Sequence, residues 1–146
     1  MIPFLLAHPD IDVNVKNRSG ETPFFSACCG RASCVREMLK DSRVKVNEPR
    51  SDGWTPLYRA AYWNFLDTIK WWIASGREMD LGTPGDVHKT DAIRIAKNRR
   101  YSEVVTLLES FQSDAAETRS QVRKELGING QFHSFSPLIK NLFSFL

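Results

Sequence analysis

What the sequence lacks already excludes several classes of protein. It has no uninterrupted apolar run that approaches the roughly 18 residues a membrane helix needs, and its apolar start, MIPFLLAHPD, lacks the basic lead-in of a secretory signal. Neither sign of charge is in large excess, since 20 Lys and Arg stand against 17 Asp and Glu. A net charge of +3 is small for a nucleic-acid-binding domain, which concentrates basic charge on one face. The sequence therefore argues against membrane and nucleic-acid partners.

Cysteine is scarce and shows no pattern of disulfides or metal ligands. Cys28 and Cys29 are adjacent, and Cys34 is the third. Adjacent cysteines rarely bridge each other, and zinc sites use a C-x₂-C pair matched by a second pair. We therefore expect no metal, no other cofactor and a reducing, intracellular location, with the cytoplasm favoured and the nucleus as the alternative. Paired carboxylates and a nucleophile with its base are also missing at usable spacing, so we expect no enzyme.

The main feature that is present is an internal repeat with an offset of 33 residues. Thr22 and Pro23, for example, recur as Thr55 and Pro56. A chain of 146 residues is about one domain. Repeats of this length are typical of arrays in which each unit buries its apolar face against its neighbours.

Each unit predicts a tight turn followed by two short helices. In the second unit, Gly53 permits the positive φ of a tight turn. The Thr55 hydroxyl can cap the first turn of a helix in which Pro56 takes the first position. A second helix, which Gly76 is placed to end, carries an apolar stripe formed by Leu66, Ile69, Trp72 and Ile73.

The offset also assigns residues to the core. Met38 and Leu39 recur as Trp71 and Trp72, so both tryptophans are predicted to be buried. Cys28 takes the position of an alanine in the next unit, which predicts a small buried thiol.

A third copy follows with two extra residues. Thr90 takes the position of the capping threonine, and Ala96 takes that of Ala61. The next two residues, Lys97 and Asn98, then correspond to the tyrosine and tryptophan that follow Ala61. This copy has lost the proline of the other two, as a degenerate terminal repeat can.

A turn followed by two short antiparallel helices resembles the ankyrin repeat. The residues that carry the resemblance are GETPFFSA at 20–27 and DGWTPLYRAA at 52–61, which are similar to the family's T-P-L-x-x-A-A core. The resemblance covers roughly residues 1–111. It implies an all-α fold, a short ankyrin-type α-solenoid of helix–turn–helix repeats with projecting turns, followed by a helical tail.

We expect the chain to divide into an ankyrin-repeat array and two further segments. The array at 1–111 consists of a half repeat at 1–16, repeats at 17–49 and 50–82, and a degenerate repeat at 83–111. A polar helix at 112–127 and an apolar tail at 128–146 follow. The tail could cap the last repeat, bind a partner or a second copy, or lie on a membrane surface. Its single charged residue, Lys140, argues against the last of these.

The resemblance implies a non-catalytic adaptor or scaffold that binds a protein partner through its concave helix face and turn tips. Carried over residue by residue, the family's contact positions are Arg18, Ser19, Glu21, Ser51, Asp52, Trp54, Tyr62, Trp63, Asp86, Lys89, Lys97 and Asn98. Exposed Trp and Tyr are frequent interface hot spots. The alternative for Trp63 is that its ring folds back over the helix pair.

Two other interpretations stay open. The chain begins in the middle of a repeat, which suggests a piece of a longer array that self-associates through the apolar face at 2–6 or through the tail. The second is a weakly basic nucleic-acid-associated module that uses Lys97, Arg99, Arg100 and the segment 119–124. Its binding would weaken steeply as salt rises.

Overall fold

Seven α-helices make up the regular secondary structure of the residues described by the computed structural model, 11–83 and 90–128. They are α1 (Pro23–Ala27), α2 (Ala32–Leu39), α3 (Pro56–Tyr62), α4 (Leu66–Ser75), α5 (Ala92–Asn98), α6 (Ser102–Ser113) and α7 (Ala115–Glu125). The predicted all-α fold is confirmed. Most of the predicted half repeat, the turn at 84–89 and almost all of the predicted apolar tail lie outside the described residues.

The first helix of each repeat begins at a side-chain cap. The Oγ1 atom of Thr22 accepts a hydrogen bond of 3.1 Å from the backbone N–H of Phe25, and Thr55 caps α3 in the same way. In the third repeat the cap is Asp91, whose Oδ1 accepts from the N–H of Arg94 at 3.0 Å. The predicted cap, Thr90, therefore lies one residue too early, and Asp91 takes the capping position that Thr22 and Thr55 hold in the other repeats.

The helices form two layers. Helices α1, α3 and α5 lie side by side in the first layer, while α2, α4 and α6 form the second. The core lies between the layers, and its largest fully buried side chains include Trp72, Phe24, Met38, Leu57, Ile69 and Leu108. Such an array gains its stability from contacts between neighbouring units.

The buried residues of α2 and α4 are related by an offset of 34 residues, one more than the 33-residue repeat. The buried residues of α2 are Val35, Met38 and Leu39, and the same spacing in α4 falls on Ile69, Trp72 and Ile73 among its buried residues. The prediction for Trp72 is thus correct, and that for Trp71 is wrong. Trp71 is only partly buried, and the guanidinium of Arg36 lies 4.6 Å from its ring centroid.

The third repeat has three extra residues rather than two. The loop after α3 has Asn64 at φ +62°, and the loop after α5 has Arg100 at the same φ. The N–H of Phe65 donates to the carbonyl of Ala60, and the N–H of Tyr101 donates to that of Ala96. Ala96 therefore corresponds to Ala60 and not to Ala61, and every later residue shifts by one.

Helix α7 packs against the second layer. Asp114 ends α6 and caps α7, accepting from the N–H of Glu117 at 3.0 Å. The helix contacts α4 and α6, and Thr118 and Val122 on that side are buried. The sequence predicted a polar helix here, and the structure shows that one of its faces is docked.

Two arginines of α7 bind the carboxyl end of α4. The Nε of Arg119 donates to the carbonyl of Ile73 at 3.0 Å, and the Nε of Arg123 donates to that of Ala74 at 2.8 Å. These carbonyls belong to the last turn of α4, where backbone acceptors lack helical partners. Arg77 binds the end of α2 in a similar way, since its guanidinium donates to the carbonyls of Leu39, the last residue of the helix, and of Asp41 just after it.

Two further observations bear on the sequence predictions. Cys28 is fully buried, as its position predicted, and burial raises the pKa of its thiol. Within 11–83 and 90–128, no helix is long and apolar enough to cross a membrane.

Candidate interaction surface

Four aromatic side chains of the second repeat form one contiguous patch. Trp54 comes from the turn, Tyr58 and Tyr62 lie one helical turn apart on α3, and Trp63 follows directly after the helix. The Trp54 centroid lies 5.0 Å from that of Tyr58 and 4.9 Å from that of Tyr62. Trp63 meets Tyr62 edge-on at 5.0 Å. Burial raises the pKa of the Tyr58 phenol.

The third repeat adds an arginine and a tyrosine to this patch. The guanidinium carbon of Arg99 lies 4.2 Å from the ring centroid of Tyr62, 5.9 Å from that of Trp63 and 5.6 Å from that of Tyr101. Its Nε donates to the Tyr101 hydroxyl at 3.1 Å, and this hydrogen bond raises the pKa of Arg99. We call Trp54, Tyr58, Tyr62, Trp63, Arg99 and Tyr101 the aromatic–arginine surface.

Trp63 is the most prominent apolar side chain of this surface. It is 52% exposed although its ring contacts Tyr62. Elsewhere in the described ranges, only Ile11 and Val15 are large apolar residues with comparable exposure. Trp63 therefore does not fold away over the helix pair, and half of its surface is open to solvent.

A network of charges lies beside the patch, at the first turn. The Oε1 of Glu21 is 3.1 Å from an Nη of Arg59 and 3.3 Å from an Nη of Arg50. Arg50 also pairs with Asp52. Burial acts to raise the pKa of Glu21, but hydrogen bonds from Asn17 and Arg50 and the charge of Arg59 outweigh it and lower that pKa. The network joins the first turn to the second repeat.

The structure brings several predicted contact residues together and separates others. Glu21, Asp52, Trp54, Tyr62 and Trp63 lie on or beside the aromatic–arginine surface. Arg18, Ser19 and Ser51 are exposed at the turn tips, where the N–H of Ser51 donates to the carbonyl of Ser19 at 3.1 Å. Asp86 and Lys89 lie outside the described residues.

Lys97 and Asn98 are both exposed on the third repeat. Lys97 forms an ion pair of 2.6 Å with Glu109 of the second layer. The corrected register places Asn98 and Arg99, rather than Lys97 and Asn98, at the positions of Tyr62 and Trp63.

Sequence reasoning did not assign Tyr58, Arg99 and Tyr101 to this surface. Arg99 is exposed, Tyr101 is partly buried, and Tyr58 is buried and supports the rings of Trp54 and Tyr62. Arg99 had been noted only as part of a basic loop. The signal that identifies it is the pair of positive-φ residues at Asn64 and Arg100, which the sequence alone does not mark.

No group of three or more His, Cys, Asp or Glu residues is placed to hold a metal ion within 11–83 and 90–128. The three cysteines are free thiols. The contacts of the aromatic–arginine surface are ring packing, cation–π contact and hydrogen bonding from the Arg99 guanidinium.

A comparison with protein families agrees with this architecture. A model of ankyrin repeats in three copies matches residues 1–83, which is more than half of the chain. The chain belongs to the ankyrin-repeat family. Helices α5 and α6 lie beyond the matched residues and repeat the same arrangement. Ankyrin repeats generally mediate protein–protein interactions and are typically non-enzymatic.

The chain is also similar to parts of several curated proteins, three of which are described below. The chain is 27% identical over 132 residues to alpha-latrotoxin-Lg1a of Latrodectus geometricus, which covers 88% of the chain and 9% of the toxin. It is 55% identical over 40 residues to ankyrin repeat domain-containing protein 49 of Drosophila melanogaster, 27% of the chain and 19% of that protein. It is 42% identical over 57 residues to SMC5-SMC6 complex localization factor protein 1 of Homo sapiens, 38% of the chain and 5% of that protein.

The chain thus spans less than a fifth of the length of each of these relatives. No solved structure gives a significant match.

Proposed function

We propose that this protein is a non-catalytic binding module that recognises a protein partner through the aromatic–arginine surface and the neighbouring turn tips. The observation that carries the proposal is Trp63, a tryptophan that is 52% exposed yet fixed against Tyr62. Large exposed aromatic side chains held by their neighbours are the residues that contribute most at protein interfaces.

The rigidity of the surface supports the proposal. The rings of Trp54, Tyr58, Tyr62 and Trp63 lie in mutual contact, and Arg99 is stacked on one of them. A partner that binds preordered side chains loses less conformational entropy than one that must order them. Two repeats contribute to the surface, so it exists only when the array is folded.

The nucleic-acid alternative is less well supported by the contacts. Of the cations assigned to it, Lys97 is paired with Glu109, while Arg119 and Arg123 donate to backbone carbonyls of α4. These side chains hold the protein together and leave fewer charges for phosphates. The remaining cations are short of the continuous basic stripe that nucleic-acid binding uses.

The location of the protein is a separate proposal. The three cysteines are free thiols, which is usual in a reducing compartment. We therefore propose an intracellular, cytoplasmic location, which immunofluorescence of the tagged protein in its native cells would test.

Affinity capture tests the proposed function. The intact chain and a Tyr62→Ala/Trp63→Ala variant are used as bait in an extract of the native cells, after circular dichroism shows that both are folded. Val15→Ala serves as the control, because Val15 is 57% exposed and lies outside the surface. We expect a discrete partner retained by the intact chain and by the control, and lost by the double variant. Equal retention by all three would show that the partner binds elsewhere.

A further inference from the structure

We infer that the partner segment is acidic and presents a carboxylate to Arg99 beside a side chain that packs on Trp63. This inference rests on the proposed function and adds the chemistry of the partner to it. The two ends of the surface differ in charge, and a partner that fits both must match this difference.

The end of the surface near the first turn has its charges neutralised internally. Glu21 is paired with Arg50 and Arg59, and Asp52 is paired with Arg50. Two carboxylates and two guanidinium groups therefore balance one another. Together these four side chains carry no net charge, and their guanidinium groups are already occupied by carboxylates of the protein.

The end formed by the third repeat is different. Arg94, Arg99 and Arg100 are exposed, and none of them forms an ion pair with a carboxylate of the described residues. Lys97, between them in sequence, is already paired with Glu109. The charges of Arg94, Arg99 and Asp91 all act on the Tyr58 phenol, so two cations and one carboxylate lie near the aromatic rings and positive charge is in excess. Negative charge on a partner segment complements this end of the surface.

Arg99 is prepared to accept a carboxylate. Its guanidinium is stacked on Tyr62 and its Nε is bonded to the Tyr101 hydroxyl, which fixes the plane of the group. A guanidinium carries five N–H donors, and a carboxylate is bound by two parallel hydrogen bonds from such a planar fork. Arg99 therefore loses little further side-chain entropy when it binds a carboxylate. Trp63 lies beside the same guanidinium and provides an apolar contact next to the charge.

Selection from a random dodecapeptide display library tests the inference with the full chain as bait. We expect the retained peptides to be enriched in Asp and Glu relative to the unselected library. Binding of the most enriched peptides is then measured by fluorescence polarisation for the parent, Arg99→Gln, Arg99→Lys and Arg36→Gln. Arg36→Gln is the matched control, because Arg36 is also an exposed guanidinium stacked on a tryptophan but lies on the second layer.

We expect Arg99→Gln to weaken binding by about tenfold or more and Arg36→Gln to leave it within about twofold. Arg99→Lys, which keeps the charge and loses the planar fork, is expected to fall between them. Raising the salt concentration is expected to weaken binding to the parent.

Three results would overturn the inference. The first is a selection without enrichment of acidic residues, and the second is an equal effect of Arg99→Gln and Arg36→Gln. The third is displacement of the peptides by a random-sequence DNA duplex at lower concentration than by the acidic peptides themselves. Trp63→Ala distinguishes the inference from the proposed function. Selected peptides that are neutral and lose binding in Trp63→Ala would overturn the inference and leave the proposed function standing. Selected peptides whose binding needs neither Arg99 nor Trp63 would contradict both.

Discussion

The guanidinium of Arg99 lies 4.2 Å from the ring centroid of Tyr62, so a residue of the third repeat completes a patch that the second repeat begins. Arg99 stands at the position that Trp63 holds one repeat earlier, because each directly follows the first helix and precedes a residue at φ +62°. Equivalent positions in adjacent repeats thus supply a tryptophan and an arginine to the same surface. A cation–π contact of this kind is worth about 0.5–1 kcal/mol at an exposed site.

Two tryptophans of neighbouring elements should differ sharply in their effect on stability. Trp72 is fully buried, meets Phe24 edge-on at 5.1 Å and donates from Nε1 to the carbonyl of Glu78. We expect Trp72→Ala to cost about 3–5 kcal/mol of unfolding free energy. Trp63→Ala should cost clearly less, about 1–2 kcal/mol, since half of the side chain is already exposed in the folded protein. Urea unfolding followed by circular dichroism measures both, and similar losses would contradict the assignment of Trp63 to the surface.

Glycine is required at Gly20 for two separate reasons. It has φ +81°, and a Cβ atom there would lie 2.3 Å from the Oγ and 2.8 Å from the backbone nitrogen of Ser51. We expect Gly20→Ala to cost about 2–4 kcal/mol, from left-handed backbone strain together with steric overlap. Gly127→Ala is the control, because Gly127 has φ +73° and open space around its Cβ position. It should cost only the backbone strain, about 1–2 kcal/mol, in the same urea experiment.

The charge network at Glu21 predicts a loss of stability in acid. The folded-state pKa of Glu21 is lowered from its ordinary value of 4.5, so the unfolded state binds a proton more readily than the folded state. The contribution is therefore complete above pH 4.5 and is lost as the pH falls through the lower, folded-state pKa. Its size is about 0.5–1 kcal/mol, since the pairs are near the surface.

In Glu21→Gln, the unfolding free energy should decrease less steeply between about pH 5 and pH 3 than it does in the parent. The decrease should be less steep in Arg59→Gln as well, because this change removes one of the groups that lower the pKa. Unfolding curves at a series of pH values test both variants. A parent-like slope in both would mean that Glu21 is not coupled to Arg59 in solution.

Helix α7 should stabilise the array through its arginines. Arg123 is partly buried and donates to the carbonyl of Ala74, whereas the adjacent Lys124 is exposed. We expect Arg123→Gln to cost about 1–2 kcal/mol, because a carbonyl at the end of α4 loses a charged donor. Lys124→Gln should change stability by less than about 0.5 kcal/mol. Equal effects in thermal unfolding would show that α7 is not docked in solution.

The sequence was sufficient to predict the repeat and the first helices of its first two copies. Thr22 and Thr55 cap as their spacing predicted, and Gly76 ends α4 at φ +77°. These features depend on contacts within one turn of chain, where the residue type alone decides the geometry. They are therefore readable from a single sequence.

The register of the second helices was not readable in the same way. The first helix and the loop after it together run over 23–31 in the first repeat and over 56–65, one residue more, in the second, so a fixed offset does not hold across them. Trp71, Trp72 and Ile73 are all apolar, and hydrophobicity does not reveal which two face the core. A separate one-residue error, in the offset of the third repeat, concealed Arg99 as a neighbour of Tyr62.

Docking of α7 was hidden for another reason. Its buried face consists of Thr118 and Val122, with Arg119 and Arg123 at the edge. Three of these four residues are polar, so the apolar stripe that predicts a packed helix is nearly absent. The arginines dock by donating to backbone carbonyls in the last turn of α4, an interaction that hydrophobic periodicity does not reveal.

The central claim is that Trp63 is a contact residue for a protein partner. Isothermal titration of the captured partner into the parent, Trp63→Ala and Val15→Ala proteins tests it most directly. We predict that Trp63→Ala loses about 2 kcal/mol or more of binding free energy, the size of an interface hot spot, while Val15→Ala binds as the parent does. Binding to Trp63→Ala with the parent's affinity would contradict the claim.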